Sequence, residues 1–583
     1  MRSLFVISAF IFIISSNIYA QKAGELQTVK RPGDYNYLSA TDQLGIRKPL
    51  KQLAQSQSKI HLPYPIIFIH GLNSSSETWD SLTDFFDDQY GLNYGGRFDF
   101  CLNYTGNYDS ANTKFYPDSG ADLAFFTNPN DTTQIKCGDY YCVNFDVGND
   151  GSVFPSSSSS YYVESNEAAI VKQGIAVKWA VYYVLQKTGR DKVILMGHSM
   201  GGLASREYLQ NRANWQPDGQ CHVAKLVTTG TPHGGSNSSL TEPIDWCAGI
   251  DDQSEAVRDL KTSFSYSGAP GVYLFGGVES DSVMNGMLFS DYYNVDVNCN
   301  GVIGDTITGL NKKNIHTDLD YSCIIGECTG CPEGNPGDGV VMDTSANINY
   351  YYKNLTTNLF YYYAFDLIEI HTDLPSQIYQ NMQGLDEPNE YPLAYHVGLD
   401  TNYLGFTTVQ ADTSAYDYDD YQFSVPYEYN ITVNINNIYL SDIMAHIVDL
   451  SGSTIGTIVH SAGSSSIHFS QPLTAGKYYL QIYGMPTDTS YLHPYNFIIN
   501  KGNPNGIIAY EANDMQIYPN PVCDNLEIRT SLQIKSIEIT DLTGRLIYIS
   551  NYKTIDCSNL SNGIYFIKVE TENGVMVSKF IKD

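Results

Sequence analysis

One serine in this chain sits where a nucleophile would. Residues 193–196 are a short apolar run that reads as a buried strand, and Gly197-His198-Ser199-Met200-Gly201 follows at once. After Gly202, the residues Leu203, Ala204, Tyr208 and Leu209 recur at helical spacing. Strand, tight turn and helix with the serine at the turn form a nucleophile elbow. So sharp a turn tolerates no bulky side chain two residues before or after the serine, and both positions are glycine. The serine backbone is strained there, and its hydroxyl is held out above the sheet edge. A hydroxyl so placed suits attack on a carbonyl, given a base to take its proton and fixed donors for the oxyanion.

Several elements must position that serine. Residues 65–69 are continuously apolar, as a central parallel strand is, and His70-Gly71-Leu72-Asn73-Ser74 follows them. Asn166 can cap a helix running to about Lys187, which Thr188-Gly189 closes. A strand over residues 223–228 leads into Gly230-Thr231-Pro232-His233-Gly234-Gly235-Ser236. Residues 85–163, rich in Tyr, Asn, Asp, Gly and Ser, read as a long insertion. Its place ahead of the elbow makes part of it either a cap over the site or a surface excursion.

The stretches HGLNSSSETW, GHSMGGLASREYL and VTTGTPHGGS, in this order and spacing, resemble the bacterial lipase branch of the α/β-hydrolases, closest to its GPI-inositol-deacylase-like relatives. The segment from Ser254 to Leu260 resembles one common in those lipases. The resemblance covers roughly residues 60–385 and implies a mostly parallel sheet flanked by helices. It implies backbone N–H groups of Leu72 and Met200 as oxyanion donors. It also implies a triad in the order Ser, acid, His. Asp338, between two glycines in Gly337-Asp338-Gly339-Val340-Val341, matches the acid, with Asp343 as competitor. His371 stands at the base's place, with His396 as alternative. By the same resemblance His233 shapes a loop, His198 serves packing and His70 organises its loop.

No cofactor is required for this chemistry, but two stretches suggest structural calcium. Asp296, Asn298, Asn300 and Asp305, with Gly301 at the sixth position, resemble the start of a calcium loop, against the reading of an ordinary Asx-rich turn. Ile307 stands where a bidentate carboxylate belongs. Many bacterial lipases hold calcium through an Asp two residues after the base, and Asp373 matches that position. The tyrosines of 350–352 and 361–363 read as strand and packing residues.

Bulk properties narrow the setting. The formal charge of −30 leaves nothing to neutralise phosphates and disfavours nucleic acid and anionic lipid surfaces alike. Arg2, an apolar stretch over residues 4–14 and Ile18-Tyr19-Ala20 before Gln21 read as a cleaved signal over 1–20. No later run has the length of a transmembrane helix. The eleven cysteines then face an oxidising compartment, where disulfides are expected. Cys137 and Cys142 are spaced for a local loop, Cys323, Cys328 and Cys331 cluster, and Cys523 and Cys557 share one terminal module.

Length alone calls for several domains. Residues 21–385 read as the catalytic domain. From 386 to 505 short alternating segments separated by Gly, Asp and Ser turns read as a β-sandwich. DYDDYQFSV, VDLSGSTIGTI and AGKYYLQIYG resemble the pre-peptidase C-terminal module. Residues 515–583, opening on Ile517-Tyr518-Pro519-Asn520-Pro521, resemble the type IX secretion C-terminal sorting domain, a second all-β unit. That resemblance implies the type IX machinery as a partner and secretion or outer-membrane attachment. The expected function is a secreted serine esterase or lipase acting on carboxylic esters, lipid acyl esters foremost. A thioesterase or deacylase on the same triad, and a surface adhesin on an inactive scaffold, are the alternatives.

Overall fold

The computed structural model describes residues 60–102, 124–125, 135–147, 164–236, 250, 255–260, 272–275, 277–278, 306–328, 337–364, 370–408, 416–440, 442–485, 493–504, 515–530, 532–571 and 574–583. In chain order its first strands are β1 (Ile60–His61), β2 (Ile66–Ile69), β3 (Tyr94–Cys101), β4 (Ala124–Phe125), β5 (Tyr140–Asn144), β6 (Val193–His198) and β7 (Val223–Thr229). The short pair β8 (Gly277–Val278) and β9 (Thr306–Ile307) precedes β10 (Asp320–Cys328) and β11 (Asn358–Ala364). An eight-stranded sheet runs β11-β10-β7-β6-β2-β5-β3-β4, parallel throughout except for β4. Every residue of β2, β6 and β7 is buried, as expected of strands covered on both faces.

The reading of 85–163 as an insertion without periodicity is corrected here. Residues 94–101 and 140–144 are strands of the main sheet, with β5 paired to β2. Strand β3 is mostly buried on both faces and so shows no alternation, and Gly95 and Gly96 weaken its apolar signal. A Cβ on Gly95 would fall 2.0 Å from the Tyr141 ring, so a packing demand, not a turn, places that glycine. The rest of the stretch that could form a cap lies outside the described residues.

Helix α1 (Ile170–Thr188) closes as expected on a left-handed Gly189, whose N–H reaches the Leu185 carbonyl. Its start differs from the expectation. Asn166 sits in a preceding 3-10 turn and donates to the Ser74 carbonyl at 2.5 Å. The amides of Ala169 and Ile170 instead donate to the carboxylates of Glu255 and Asp259, each at 2.9 Å. Glu255 also accepts from Lys172 Nζ at 2.8 Å in a buried ion pair. The acids of the lipase-like segment thus cap a distant helix, which sequence spacing alone does not reveal.

Beyond the parallel sheet come β12 (Tyr395–His396), β13 (Asn402–Gly405), β14 (Asp417–Val425), β15 (Tyr429–Asn436), β16 (Ile443–Asp449), β17 (Thr454–His460), β18 (Ser466–Leu473), β19 (Gly476–Gly484) and β20 (Tyr495–Pro504). They form two five-stranded sheets, β1-β13-β20-β15-β18 and β12-β14-β19-β16-β17. Strand β1 lies ahead of the parallel sheet in sequence, yet it pairs with β13. One apolar cluster runs from Phe68, Trp79 and Met196 through Tyr395, Tyr403 and Tyr421 to Ile431 and Phe497. Polar ties join the same two units. Lys225 Nζ contacts the Asp320 carboxylate at 2.6 Å and the Asp386 carbonyl at 2.5 Å. Asp191 pairs with His396 at 2.6 Å, and Arg190 donates to the Tyr403 hydroxyl at 2.8 Å. Arg190, Asp191 and Lys225 lie at or just before the starts of β6 and β7, whereas Ser199 follows the end of β6. The six residues of β6 separate the two edges by about 20 Å.

The last 68 residues carry β21 (Gln516–Tyr518), β22 (Asn525–Arg529), β23 (Ile534–Asp541), β24 (Leu546–Ser550), β25 (Thr554–Asp556), β26 (Gly563–Thr571) and β27 (Gly574–Lys582). They fold as two smaller sheets, β21-β22-β25 and β24-β23-β26-β27, over a core of their own that includes Val522, Ile537, Ile567 and Phe580. Two expected cysteine pairings are not formed. Cys137 is an exposed free thiol, while β5 carries Cys142 into the core. Cys523 is likewise exposed, whereas Cys557 is buried in the terminal core. Cys328 is disulfide-bonded, and Cys323 is a buried thiol that accepts from Thr228 Oγ1 at 3.3 Å. Among the described residues no helix is long and apolar enough to cross a membrane.

Candidate active site

Ser199 stands between β6 and helix α2 (Met200–Gln210), with φ 51° and ψ −126°. A non-glycine residue in that conformation is strained, and the surrounding contacts must hold it there. Its amide donates to the Thr229 carbonyl at 2.9 Å, tying the elbow to the end of β7. A Cβ on Gly197 would meet Gly202 N at 2.4 Å, and one on Gly201 would meet the His70 carbonyl at 2.4 Å. Both glycines are therefore required by backbone approach, as the elbow reading expects.

Asp338 and His371 converge on this serine from the segments that follow β10 and β11. His371 Nε2 lies 3.0 Å from Ser199 Oγ, and His371 Nδ1 lies 2.7 Å from Asp338 Oδ2. The second carboxylate oxygen of Asp338 accepts from the amides of Val340 and Val341 at 3.0 and 2.7 Å. The tight turn that allows this has Gly337 at φ 150° and Gly339 at φ 91°. Asp338 is 1 % exposed, so water does not compete for its bond to the imidazole. Gly230 packs on that bond: a Cβ there would lie 3.1 Å from Asp338 Oδ2 and 3.2 Å from His371 Nδ1.

Met200 opens α2, so its N–H has no preceding helical carbonyl to reach. Leu72 lies in the loop after β2, where Gly71 comes so close to the serine that a Cβ would be 2.6 Å from Ser199 Cβ. The Leu72 side chain packs with Met200, Leu203, Val257 and Leu274 in an apolar cluster beside the elbow.

The other candidates stand apart from the serine. Asp343 opens a short helix and its carboxylate accepts from the Thr344 amide at 2.5 Å. His396 is at the junction with the sandwich. His233 is fully buried, accepts from Arg206 Nη1 at 3.2 Å and donates to Thr228 Oγ1 at 3.2 Å. His70 donates from Nδ1 to the Gly71 carbonyl at 2.8 Å and accepts on Nε2 from the Phe145 amide at 2.8 Å. Burial lowers its pKa to about 4, which keeps it neutral in this loop-bracing role. The tyrosines of β11 lie on an edge strand, with Tyr361 and Tyr363 stacked at 6.0 Å; Tyr361 and Tyr362 are half-buried, whereas Tyr363 and Tyr350 are exposed rather than packed.

Of the suggested calcium ligands, Asp296, Asn298, Asn300 and Asp305 lie outside the described residues. Asp373 is exposed, and its carbonyl accepts from Ser376 Oγ at 2.7 Å. Among the described residues the one group of three or more acidic, His or Cys side chains close enough to hold a metal is Asp386, Glu387 and Asp419. All three are buried at the junction with the sandwich, remote from Ser199.

Sequence reasoning missed two supports of the His371 segment. Asn381 Nδ2 donates to the carbonyls of Leu374, Pro375 and Gln377, while its oxygen accepts from Thr229 Oγ1 at 3.1 Å. His198 reaches the main chain of His371, a contact that no spacing rule signals.

Residues 64–259 match the family model described as the alpha/beta hydrolase fold. The parallel-sheet unit is an α/β-hydrolase domain. Residues 516–583 match the secretion system C-terminal sorting domain, so the chain carries a type IX secretion address there. No curated protein matches the chain in sequence. Among solved structures, it is similar to a gene product of Listeria innocua at 17 % identity, over 56 % of this chain and 95 % of that one, with a TM-score of 0.31. A lipase-esterase related protein from Clostridium acetobutylicum matches at 12 % identity, over 55 % and 93 % of the two chains, with a TM-score of 0.26. The pre-peptidase C-terminal domain of a Bacillus anthracis collagenase matches at 22 % identity, over 20 % of this chain and 99 % of that domain, with a TM-score of 0.16.

Proposed function

We propose that this hydrolase is a secreted serine esterase or lipase that cleaves carboxylic esters through an acyl-enzyme. Ser199 Oγ attacks the ester carbonyl and His371 Nε2 takes its proton. Asp338 holds the imidazole in the Nδ1–H tautomer and stabilises the imidazolium that forms. The amides of Leu72 and Met200 receive the oxyanion. His371 then protonates the departing alcohol, and water attacks the acyl-serine by the reverse of these steps. The observation that carries this reading is the relay from Ser199 through His371 to Asp338, at 3.0 and 2.7 Å on a serine held at φ 51°.

Lipid acyl esters are the leading substrate class. The resemblance of HGLNSSSETW, GHSMGGLASREYL and VTTGTPHGGS to the bacterial lipases supports that class. Calcium, in the 296–305 segment or at Asp373, is structural in this reading, because the relay needs no metal. The sorting domain and the signal-like residues 1–20 support passage through the type IX machinery to the cell surface or beyond.

Purified protein assayed on p-nitrophenyl esters of increasing chain length, beside Ser199→Ala, tests the reading. Hydrolysis that the substitution abolishes and that favours long chains supports a lipase; a short-chain optimum supports an esterase. Activity on thioesters alone would replace the ester reading with a thioesterase one.

A further inference from the structure

The residue before the serine has a contact that packing alone does not require. His198 Nε2 lies 2.9 Å from the carbonyl oxygen of His371. A carbonyl can only accept, so Nε2 carries the proton and Nδ1 is bare. The ring is 5 % exposed, stands perpendicular to Trp79 and has its centroid 5.0 Å from that of His371. His198 Nδ1 is buried with no hydrogen-bond partner. Burial, and then the neighbouring His371, hold this imidazole well below its usual pKa. Both effects disfavour a second positive charge beside His371.

His371 needs such an anchor. It sits in a helix of only four residues, Ile370–Asp373, which cannot fix its own backbone by internal bonds. Its ring is held from two sides, by Ser199 and Asp338. Its main chain is held by the residue immediately before that serine.

We propose that His198 is a positioning residue: through its Nε2–H bond to the His371 carbonyl, it fixes the backbone from which the base reaches Ser199. This rests on the reading of Ser199 and His371 as nucleophile and base. Neighbouring residues of one elbow thus grip the same histidine at its ring and at its carbonyl. Any motion of the elbow carries both contacts with it, so the distance from Ser199 Oγ to Nε2 is conserved.

The test compares His198→Phe, His198→Gln and His198→Asn. Phe keeps a flat ring without a donor. Gln places an N–H near the Nε2 position, and Asn places one near Nδ1. The readouts are the rate at which a fluorophosphonate probe labels Ser199, the kcat and KM for a p-nitrophenyl ester, and the melting temperature. The expected labelling rate and kcat fall by about 10- to 100-fold for Phe and Asn, at little-changed KM, with Gln recovering most of the loss. Wild-type rates in Phe, or losses in all three variants that track melting temperature, would overturn the positioning role alone. Failure of the wild-type protein to label at Ser199 would overturn both this proposal and the serine hydrolase reading.

Discussion

Gly71 and Ser199 touch in a way that admits no side chain on the glycine: a Cβ there would lie 2.6 Å from Ser199 Cβ and 3.2 Å from its hydroxyl. The contact sets the loop that carries Leu72, an oxyanion donor in the proposed mechanism. Gly71→Ala should therefore displace an oxyanion donor and crowd the attacking atom. The expected loss in kcat is about 100- to 1000-fold, the range for removing one such donor. Ester hydrolysis measured beside circular dichroism checks it, since the substituted protein should keep its fold.

Asp338 fixes the tautomer of His371 with one oxygen and is itself fixed by two amides through the other. Asp338→Asn preserves the size of the side chain but presents an amide that can donate to Nδ1. The imidazole is then held with its proton on Nε2, facing Ser199. By analogy with other triads, kcat should fall by about 10,000-fold with KM changed far less. Steady-state kinetics over a range of ester concentrations separates the two constants.

A pH effect on stability should arise far from the active site. Burial, and then the neighbouring Asp386, raise the Glu387 carboxyl from 4.5 to about 8. Asp417 and Asp419 are also pushed well above the ordinary range, chiefly by burial. Acids whose folded pKa is raised bind more protons folded than unfolded. Their contribution is complete below the unfolded value and is lost as pH climbs through the folded one. In the presence of EDTA, the melting temperature should fall steadily from pH 5 to pH 8.5. Glu387→Gln should flatten part of that fall, and differential scanning calorimetry at a series of pH values reads it.

The two β units should respond differently to truncation. The sorting domain keeps its own core, so ending the chain at residue 514 should leave activity and melting temperature nearly unchanged while blocking secretion. The sandwich shares a continuous apolar cluster with the parallel sheet and takes β1 into its own sheet. Ending the chain at residue 385 uncovers Tyr64, whose ring packs on Tyr395 at 5.1 Å between centroids, and insoluble or inactive protein is expected. Size-exclusion chromatography and ester assays of both truncations distinguish the cases.

Much of the site could be read from residue types. Glycine at 197 and 201 answers to close backbone approach and glycine at 337 and 339 to backbone conformations that only glycine tolerates cheaply, and the elbow and the acid turn follow from them. The order of Ser199, Asp338 and His371 came from resemblance, not from spacing. What stayed hidden depends on long-range packing. Strand β3 carries Gly95 because Tyr141 covers it from a neighbouring strand, and Gly96 because the backbone there turns to φ 131° at a register shift. The cap of α1 comes from acids 86 and 89 residues away. The sandwich read as an accessory, since nothing in its own sequence shows that Tyr395 and Tyr403 finish the core of another unit. Cys137 and Cys142 are close in sequence, but an extended strand turns one inward and leaves the other in the preceding turn.

The central claim is that Ser199 becomes acylated during turnover. Mixing the protein with a p-nitrophenyl ester, quenching in acid within the first turnover and digesting for mass spectrometry reads this directly. The account predicts an acyl adduct on the peptide containing Ser199, absent in Ser199→Ala and accumulating when water attack is slow. Hydrolysis that persists in Ser199→Ala, or an adduct confined to another residue, would contradict it.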